Sequence, residues 1–224
     1  MISKKHNCIF IHIPKTGGTS IENMIWAPEE KIKENLYGGG GGLNEPFIKK
    51  LLKPRANKHQ TGGLQHLLAK QVKKEVNNKF FAQALKFTMV RNPWDKVISQ
   101  YKYMFTKNSL MKYIGMDKNT KLIQYLELIS KKKHVQWEDQ HKFFLDDNGE
   151  TIVNHILKFE NFNMEVSKIL NKLDIEFDAI LHLNKGIRKH YSEYYDNETK
   201  EFVADMYSQD IKLLGYSYNS MTKQ

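Results

Sequence analysis

Apolar residues recur along the chain with two spacings, one typical of buried strands and one typical of amphipathic helices. Short apolar-rich runs bounded by turn-forming residues predict strands over residues 8–12, 86–90 and 153–159. Apolar residues three and four positions apart predict helices over residues 64–76, 93–106, 122–130, 137–145, 164–173 and 198–214. Strands that alternate with helices predict an α/β domain, with a mostly parallel sheet and helices on both of its faces.

The first predicted strand runs into a turn with the features of an anion site. Residues Cys8 to Trp26 read CIFIHIPKTGGTSIENMIW, which is a strand, a turn with two glycines and then a helical pattern. The start of a helix carries unpaired N–H groups and the positive end of the helix dipole, so it attracts phosphate. A lysine ammonium and three hydroxyl groups add donors. The predicted anion-binding residues of this anion loop (residues 14–20) are Lys15, Thr16, Gly17, Gly18, Thr19 and Ser20.

The position of the lysine separates this loop from the loop of ordinary kinases and GTPases. In the pattern G-x-x-x-x-G-K-[ST] the lysine follows the last glycine. Here Lys15 precedes Gly17 and Gly18, which argues against a kinase. An atypical P-loop kinase stays open as an alternative.

A second motif follows the second predicted strand. Residues Phe87 to Tyr101 read FTMVRNPWDKVISQY, in which Asn92 suits a helix N-cap and Pro93 suits the first helical position. Ser99 lies about two helical turns beyond Asn92. We therefore expect Arg91 and Ser99 to converge on a second phosphate. Two anion sites in one nucleotide-binding fold indicate a ligand with a phosphate at each end of its ribose.

At these residues the chain resembles the sulfotransferases, in particular the branch that includes heparan sulfate 2-O-sulfotransferase and bacterial carbohydrate sulfotransferases. The segment from His12 to Ser20 is similar to the 5′-phosphosulfate loop of that family, and the segment from Arg91 to Tyr101 is similar to its 3′-phosphate motif. The resemblance covers most of the chain apart from residues 29–55 and 108–133.

The resemblance implies both a fold and a donor. The fold would be a single sulfotransferase domain over residues 1–224, a P-loop-type three-layer structure with a central, mostly parallel sheet flanked by helices. The sulfuryl donor would be 3′-phosphoadenosine 5′-phosphosulfate (PAPS), with 3′,5′-bisphosphoadenosine as the product. The acceptor would be a hydroxyl group of a saccharide or glycan.

Sulfuryl transfer requires in-line positioning, stabilisation of the leaving group and removal of a proton from the acceptor hydroxyl. Lys15 is expected to stabilise the charge that develops on the leaving 5′-phosphate. In the resembling family a histidine preceded by a basic residue lies between the two motifs, and Lys58-His59 matches this pattern. His59 is therefore the predicted base, and His66 is the second candidate. His12, inside the loop motif, is expected to orient the backbone.

The sequence also suggests roles for Arg188, Trp94 and Glu160. Arg188 lies in a basic, glycine-containing segment, and the resemblance implies that this segment closes over the phosphates of the donor. Trp94, just inside a predicted helix, is expected to pack in the core rather than to stack on the adenine. Glu160, after the third predicted strand, is expected to make a structural hydrogen bond rather than to act in catalysis.

Composition narrows the function classes further. The formal net charge is +10, which creates a field that attracts polyanions and leaves a non-catalytic polyanion- or nucleic-acid-binding module open as another alternative. The sequence has no zinc-finger, RRM or basic-zipper pattern, so specific nucleic-acid binding is not expected. No zinc-ligand spacing is present, and the predicted chemistry needs no metal. The sequence has neither an apolar run of ~18 residues nor a signal peptide, so we expect a cytoplasmic protein without a transmembrane segment.

Overall fold

The structure is a computed structural model that describes residues 1–27, 30, 65–180 and 189–219. Within these residues the chain forms a sheet that is flanked by helices. The predicted α/β class, with a mostly parallel sheet, is confirmed.

The described sheet has four strands in the order β1-β2-β3-β4. In chain order they are Ile2–Ser3, Cys8–Ile11, Leu85–Val90 and His155–Lys158. β1 is antiparallel to β2, whereas β2, β3 and β4 run parallel to one another. All four residues of β2 are buried. Since successive side chains on a strand point to opposite faces of the sheet, both faces are covered, as in a three-layer fold.

Ten α-helices lie in the described part of the chain. As α1 to α10 they are Gly18–Ile25, Ala69–Glu75, Asn78–Gln83, Pro93–Met104, Asn108–Ile114, Leu122–Ser130, His141–Phe144, Phe162–Lys172, Asn197–Met206 and Ser208–Leu214. Short 3₁₀ segments lie at Val135–Trp137, Phe159–Asn161 and Tyr191–Tyr194.

Three of the predicted helices differ clearly from the observed ones. The helix predicted over 137–145 is wrong in its extent, because only His141–Phe144 is α-helical there. The helix predicted over 198–214 is wrong as a single element, because the chain breaks at Tyr207 into α9 and α10. The Tyr207 hydroxyl donates to the carbonyl of Trp137 at 2.9 Å, a contact between distant parts of the chain that periodicity does not reveal. The helix predicted over 64–76 begins only at Ala69, because Leu68 is extended and its N–H donates to Gln71 at 2.9 Å.

The buried apolar residues form two clusters. One lies against the sheet and includes Phe10 and Phe87, whose rings stack 5.0 Å apart on β2 and β3. The other joins α4, α6 and α9 and includes Trp94, Tyr125 and Val203. The expected core role of Trp94 is thus confirmed. α4 begins directly after β3, so it connects the sheet to the second cluster.

A buried carboxylate fixes the loop after β3. Asp210 on α10 accepts hydrogen bonds from the backbone N–H of Gln140 at 2.7 Å and of His141 at 2.9 Å. Its carboxylate also lies 2.7 Å from His141 Nδ1, and this hydrogen bond raises the pKa of His141. The Gln140 side chain in turn pairs with both the N–H and the carbonyl of Arg91 at 2.8 Å. The backbone of Arg91 is therefore held by a chain of contacts that begins at Asp210.

We predict that Asp210→Asn lowers the free energy of unfolding by roughly 3 kcal/mol, because an amide cannot accept all the bonds that the buried carboxylate accepts. Urea denaturation measures the loss. Asp205→Asn, on the exposed side of α9, is the matched control and should stay within about 0.5 kcal/mol of the unmodified protein. Equal losses in the two variants would contradict the role given to Asp210.

Candidate active site

The two predicted anion motifs meet at one edge of the sheet. β2 and β3 are parallel neighbours, so their carboxyl ends lie side by side, and Thr88 Oγ1 donates to the carbonyl of Ile11 at 2.7 Å. Just beyond the strand ends, Arg91 Nη1 donates to the carbonyl of Lys15 at 3.0 Å. The anion loop and the Arg91 motif (residues 91–101) are therefore in direct contact. Ligands bind at this kind of edge in open α/β sheets.

The anion loop presents the start of α1. Lys15 and Gly17 both have left-handed backbone conformations, with φ of 66° and 83°. Gly17 is the N-cap and has no side chain to cap the helix, and the first turn of α1 contains no acidic residue. The Thr16 hydroxyl turns inward and donates to the carbonyl of Ile13 at 2.9 Å, whereas Thr19 is exposed. The first N–H groups of α1 suit an anion, because no carboxylate of the first turn competes for them.

Close packing explains why positions 17 and 18 of the loop are both glycine. A Cβ atom on Gly17 would lie 2.7 Å from the ring of Phe162 and 3.0 Å from the ring of Phe159. A Cβ atom on Gly18 would lie 2.2 Å from two atoms of the His12 ring. The loop is therefore held between the ring of His12, just after β2, and aromatic side chains from the segment after β4. Only glycine fits at either position without displacing them.

An aromatic ring lies against the loop lysine. Lys15 Nζ is 4.1 Å from the ring centroid of Tyr103, and Lys107 Nζ is 5.2 Å from the same centroid. Both distances fit cation–π contacts. The ring of Tyr103 is thus in contact with the ammonium groups of both Lys15 and Lys107.

The face of α4 that contacts both motifs carries residues four positions apart. Asp95 contacts Arg91, Tyr103 contacts Lys15, and Ser99 lies between Asp95 and Tyr103 in the sequence. Residues four apart are neighbours on one face of a helix. Ser99 is partly exposed on this face. Sequence reasoning singled out Ser99 but missed Tyr103 and Asp95, although the four-residue spacing from Ser99 would have indicated both.

Arg91 is a buried brace between the two motifs as well as a candidate phosphate ligand. Its residue surface is only 6% exposed. Nε and Nη2 both contact Asp95 Oδ2 at 2.7 Å, and the guanidinium carbon lies 4.0 Å from the ring centroid of Phe159. Together with the bond to Lys15, these contacts give each guanidinium nitrogen a protein partner. The bracing role was not predicted from the sequence.

Glu160 has the structural role expected of it. Its carboxylate accepts the N–H of Asn92 at 2.6 Å and the hydroxyl of Tyr216 at 2.9 Å. The side chain of Asn92 accepts the N–H of Trp94 at 3.0 Å, which makes Asn92 the N-cap of α4, as predicted. Glu160 thus ties the end of β4 to the start of α4.

His66 lies beside the strand that leads into the anion loop. Its Nδ1 is 2.9 Å from the carbonyl of His12, and the two rings are 4.3 Å apart. Because a carbonyl can only accept, Nδ1 carries the proton and Nε2 carries the lone pair. Burial, together with the charge of His12, lowers the pKa of His66 to about 3, so the ring is neutral at neutral pH. His66 also has a positive φ of 63°, a strained conformation of the kind found at functional sites.

Two of the predicted site residues, His59 and Arg188, lie outside the described residues. Among the residues that the structure describes, no group of three or more His, Cys, Asp or Glu side chains could hold a metal ion. The described helices include none that is long and apolar enough to cross a membrane.

Three comparisons relate the chain to known proteins. A family model described as "Sulfotransferase family" matches residues 1–217. An uncharacterised protein of Archaeoglobus fulgidus is 26% identical over 122 residues, which make up 54% of this chain and 92% of that protein. A crystal structure of a sulfotransferase from Alicyclobacillus acidocaldarius aligns over 98% of this chain and 99% of its own, with 12% identity and a TM-score of 0.38. Because the family match spans nearly the whole sequence, the chain belongs to the sulfotransferase family.

Proposed function

We propose that the protein transfers the sulfuryl group of PAPS to a hydroxyl group of a saccharide acceptor. Membership of the sulfotransferase family supports sulfuryl transfer. The observation that favours a donor with phosphates on both sides of its ribose is the hydrogen bond between Arg91 and Lys15, which joins the two predicted anion motifs at one edge of the sheet. The saccharide acceptor rests on the resemblance of both motifs to those of carbohydrate sulfotransferases.

Each phosphate of PAPS is assigned to one motif according to the hydrogen-bond donors and charges that the motif offers. The anion loop, with Lys15 and the N–H and hydroxyl groups of residues 16–20, would hold the 5′-phosphosulfate. Arg91 and Ser99 would hold the 3′-phosphate, with Arg188 as a further ligand. PAPS supplies an activated sulfuryl group whose leaving group is a bisphosphate. The residues present fit that group, because the start of α1 offers N–H donors without a competing acidic residue in its first turn.

Lys15 is the proposed electrostatic catalyst. Its ammonium would neutralise the charge that develops on the leaving 5′-phosphate, an interaction that is stronger in the transition state than in the ground state. The ring of Tyr103, 4.1 Å from Lys15 Nζ, would restrict the lysine to the region beside the loop.

His66 is the proposed base, with His59 as the alternative. A base must present a lone pair to the acceptor hydroxyl, and the hydrogen bond from His66 Nδ1 to the carbonyl of His12 leaves Nε2 to do so. The same hydrogen bond links His66 to the segment that carries the anion loop. A base that is fixed to this segment would keep its distance from the donor.

A thermal-shift assay tests the donor without any knowledge of the acceptor. At a hundredfold excess over its Kd, 3′,5′-bisphosphoadenosine should stabilise the protein by about 2.7 kcal/mol and raise Tm. Adenosine 5′-monophosphate lacks the 3′-phosphate and should raise Tm less at equal concentration. Ser99→Ala should reduce the difference between the two ligands, whereas Ser130→Ala, an exposed serine on α6, should preserve it. Arg91→Ala is a less specific variant, because it also removes the brace to Lys15.

The same assay separates the alternatives. A larger shift with Mg-ATP than with the bisphosphate would contradict the proposal and support the atypical kinase. Equal shifts with unrelated polyanions, lost steeply as salt is added, would support a polyanion-binding module instead.

Replacement of Lys15 tests its catalytic role. Lys15→Met keeps an unbranched side chain against Tyr103 but removes the charge, and kcat should fall on the order of 10³-fold. The Kd of the bisphosphate should change far less. Turnover is measured as bisphosphate formed from PAPS with a panel of polysaccharides as acceptors. Lys79→Met, which removes an exposed lysine of α3, should retain turnover; a rise in KM alone for Lys15→Met would contradict the assigned role.

Two histidine variants and a pH profile identify the base. His66→Asn should lower kcat on the order of 10²- to 10⁴-fold, and asparagine tolerates the positive φ at this position. Because burial keeps His66 neutral down to a pKa of about 3, kcat should stay level between about pH 8 and 5, whereas an ordinary histidine titrates near 6.5. Loss of turnover in His59→Ala together with an inflection near pH 6.5 would instead make His59 the base.

A further inference from the structure

A buried carboxylate beside the anion loop has no part in the function described so far. Glu22, on the second turn of α1, is fully buried, and His12 is only 5% exposed. Glu22 Oε1 lies 2.6 Å from His12 Nδ1. A carboxylate taken out of water must be compensated by donors. Its donors therefore indicate what Glu22 holds in place.

The second donor to Glu22 comes from the residue next to His66. Gln65 Nε2 lies 3.3 Å from both carboxylate oxygens. The carbonyl of His12, the other residue that Glu22 contacts, receives the hydrogen bond from His66 Nδ1. The contacts thus close a ring through Glu22, His12, His66 and Gln65, which we call the Glu22 cluster. Within this ring, His66 is bonded through space to His12 and along the chain to Gln65.

The Glu22 cluster also contacts the anion loop. The ring of His12 lies directly beneath Gly18, where a Cβ atom would come within 2.2 Å of it. A displacement of the His12 ring would therefore move the first turn of α1, whose N–H groups face the proposed donor. The position of His12 therefore affects both the anion loop and His66.

We propose that Glu22 is a positioning residue, which fixes His66 Nε2 relative to the anion loop by holding His12 and Gln65. This inference rests on the proposed function, since it takes His66 as the base. A misplacement of ~1 Å can cost on the order of 10²-fold in rate. Glu22 acts through His66 and does not itself contact the reacting groups.

A double-mutant cycle tests this coupling, with kcat measured as bisphosphate formed from PAPS. Glu22→Gln has nearly the same shape but loses the negative charge and places an NH2 group against the NH2 group of Gln65, since Gln65 Nε2 lies 3.3 Å from both carboxylate oxygens. This variant should lower kcat on the order of 10²-fold. The Tm shift produced by the bisphosphate should persist in this variant. In the His66→Asn background, Glu22→Gln should cause no further loss, because residues that act as a unit are non-additive. Losses that multiply would overturn the proposal and leave His66 as the base.

Other outcomes distinguish the role of His66 as the base from the role of Glu22 in positioning it. Full turnover in His66→Asn would overturn both the base and its positioning residue. If Glu22→Gln does not fold, Gln65→Met, at a partly exposed position, replaces it. Gln65→Met should lower kcat by a smaller factor and should cause no further loss in the His66→Asn background. Losses of kcat that multiply in this pair would also overturn the proposal.

The imidazole ¹⁵N spectrum supplies a readout that a merely structural role would not change. In the unmodified protein, His66 should carry its proton on Nδ1. In Glu22→Gln, His66 should be a mixture of the Nδ1–H and Nε2–H tautomers. Glu160→Gln, which alters a carboxylate that holds the other motif, is the matched control and should keep the Nδ1–H form. An unchanged His66 tautomer in Glu22→Gln would overturn the proposal.

Discussion

The hydrogen bonds of the Arg91 guanidinium hold the site together. A buried arginine cannot lose its charge, so its N–H groups must find acceptors inside the protein. They find Asp95 on the same helix and the carbonyl of Lys15 on the neighbouring loop. The backbone of Arg91 is fixed independently by Gln140, which Asp210 holds in turn. The conformation of the anion loop therefore depends on contacts that begin at Asp210 on α10.

The charges around the loop are arranged asymmetrically. Arg91 is balanced by the carboxylate of Asp95, whereas Lys15 and Lys107 lie on an aromatic face. An aromatic ring attracts a cation without cancelling its charge as a carboxylate does. The salt bridge of Arg91 serves structure, whereas a cation–π contact does not by itself cancel the charge of a lysine.

The local features of this site could be predicted from the sequence, and the long-range ones could not. The strands β2 and β3 and the N-cap at Asn92 depend on short spacings, and the structure has the cap where it is predicted and each strand within one residue of its predicted bounds. The contact of His66 with the carbonyl of His12 joins residues 54 positions apart, and no periodicity indicates it. Glu22 illustrates the same limit, since a single acidic residue in an amphipathic helix is usually taken for part of the solvated face.

The packing of His12 beneath Gly18 links two positions that lie on different secondary-structure elements. The ring fills the space that a side chain at position 18 would need, so the size of one residue limits the size of the other. Relatives that carry alanine at the position of Gly18 should therefore carry a smaller residue at that of His12, and a change at either position alone would be selected against. Gly17 is limited differently, because its positive φ of 83° disfavours a side chain whatever its neighbours are. Of two adjacent glycines in one motif, only the second could be exchanged in evolution through a compensating substitution.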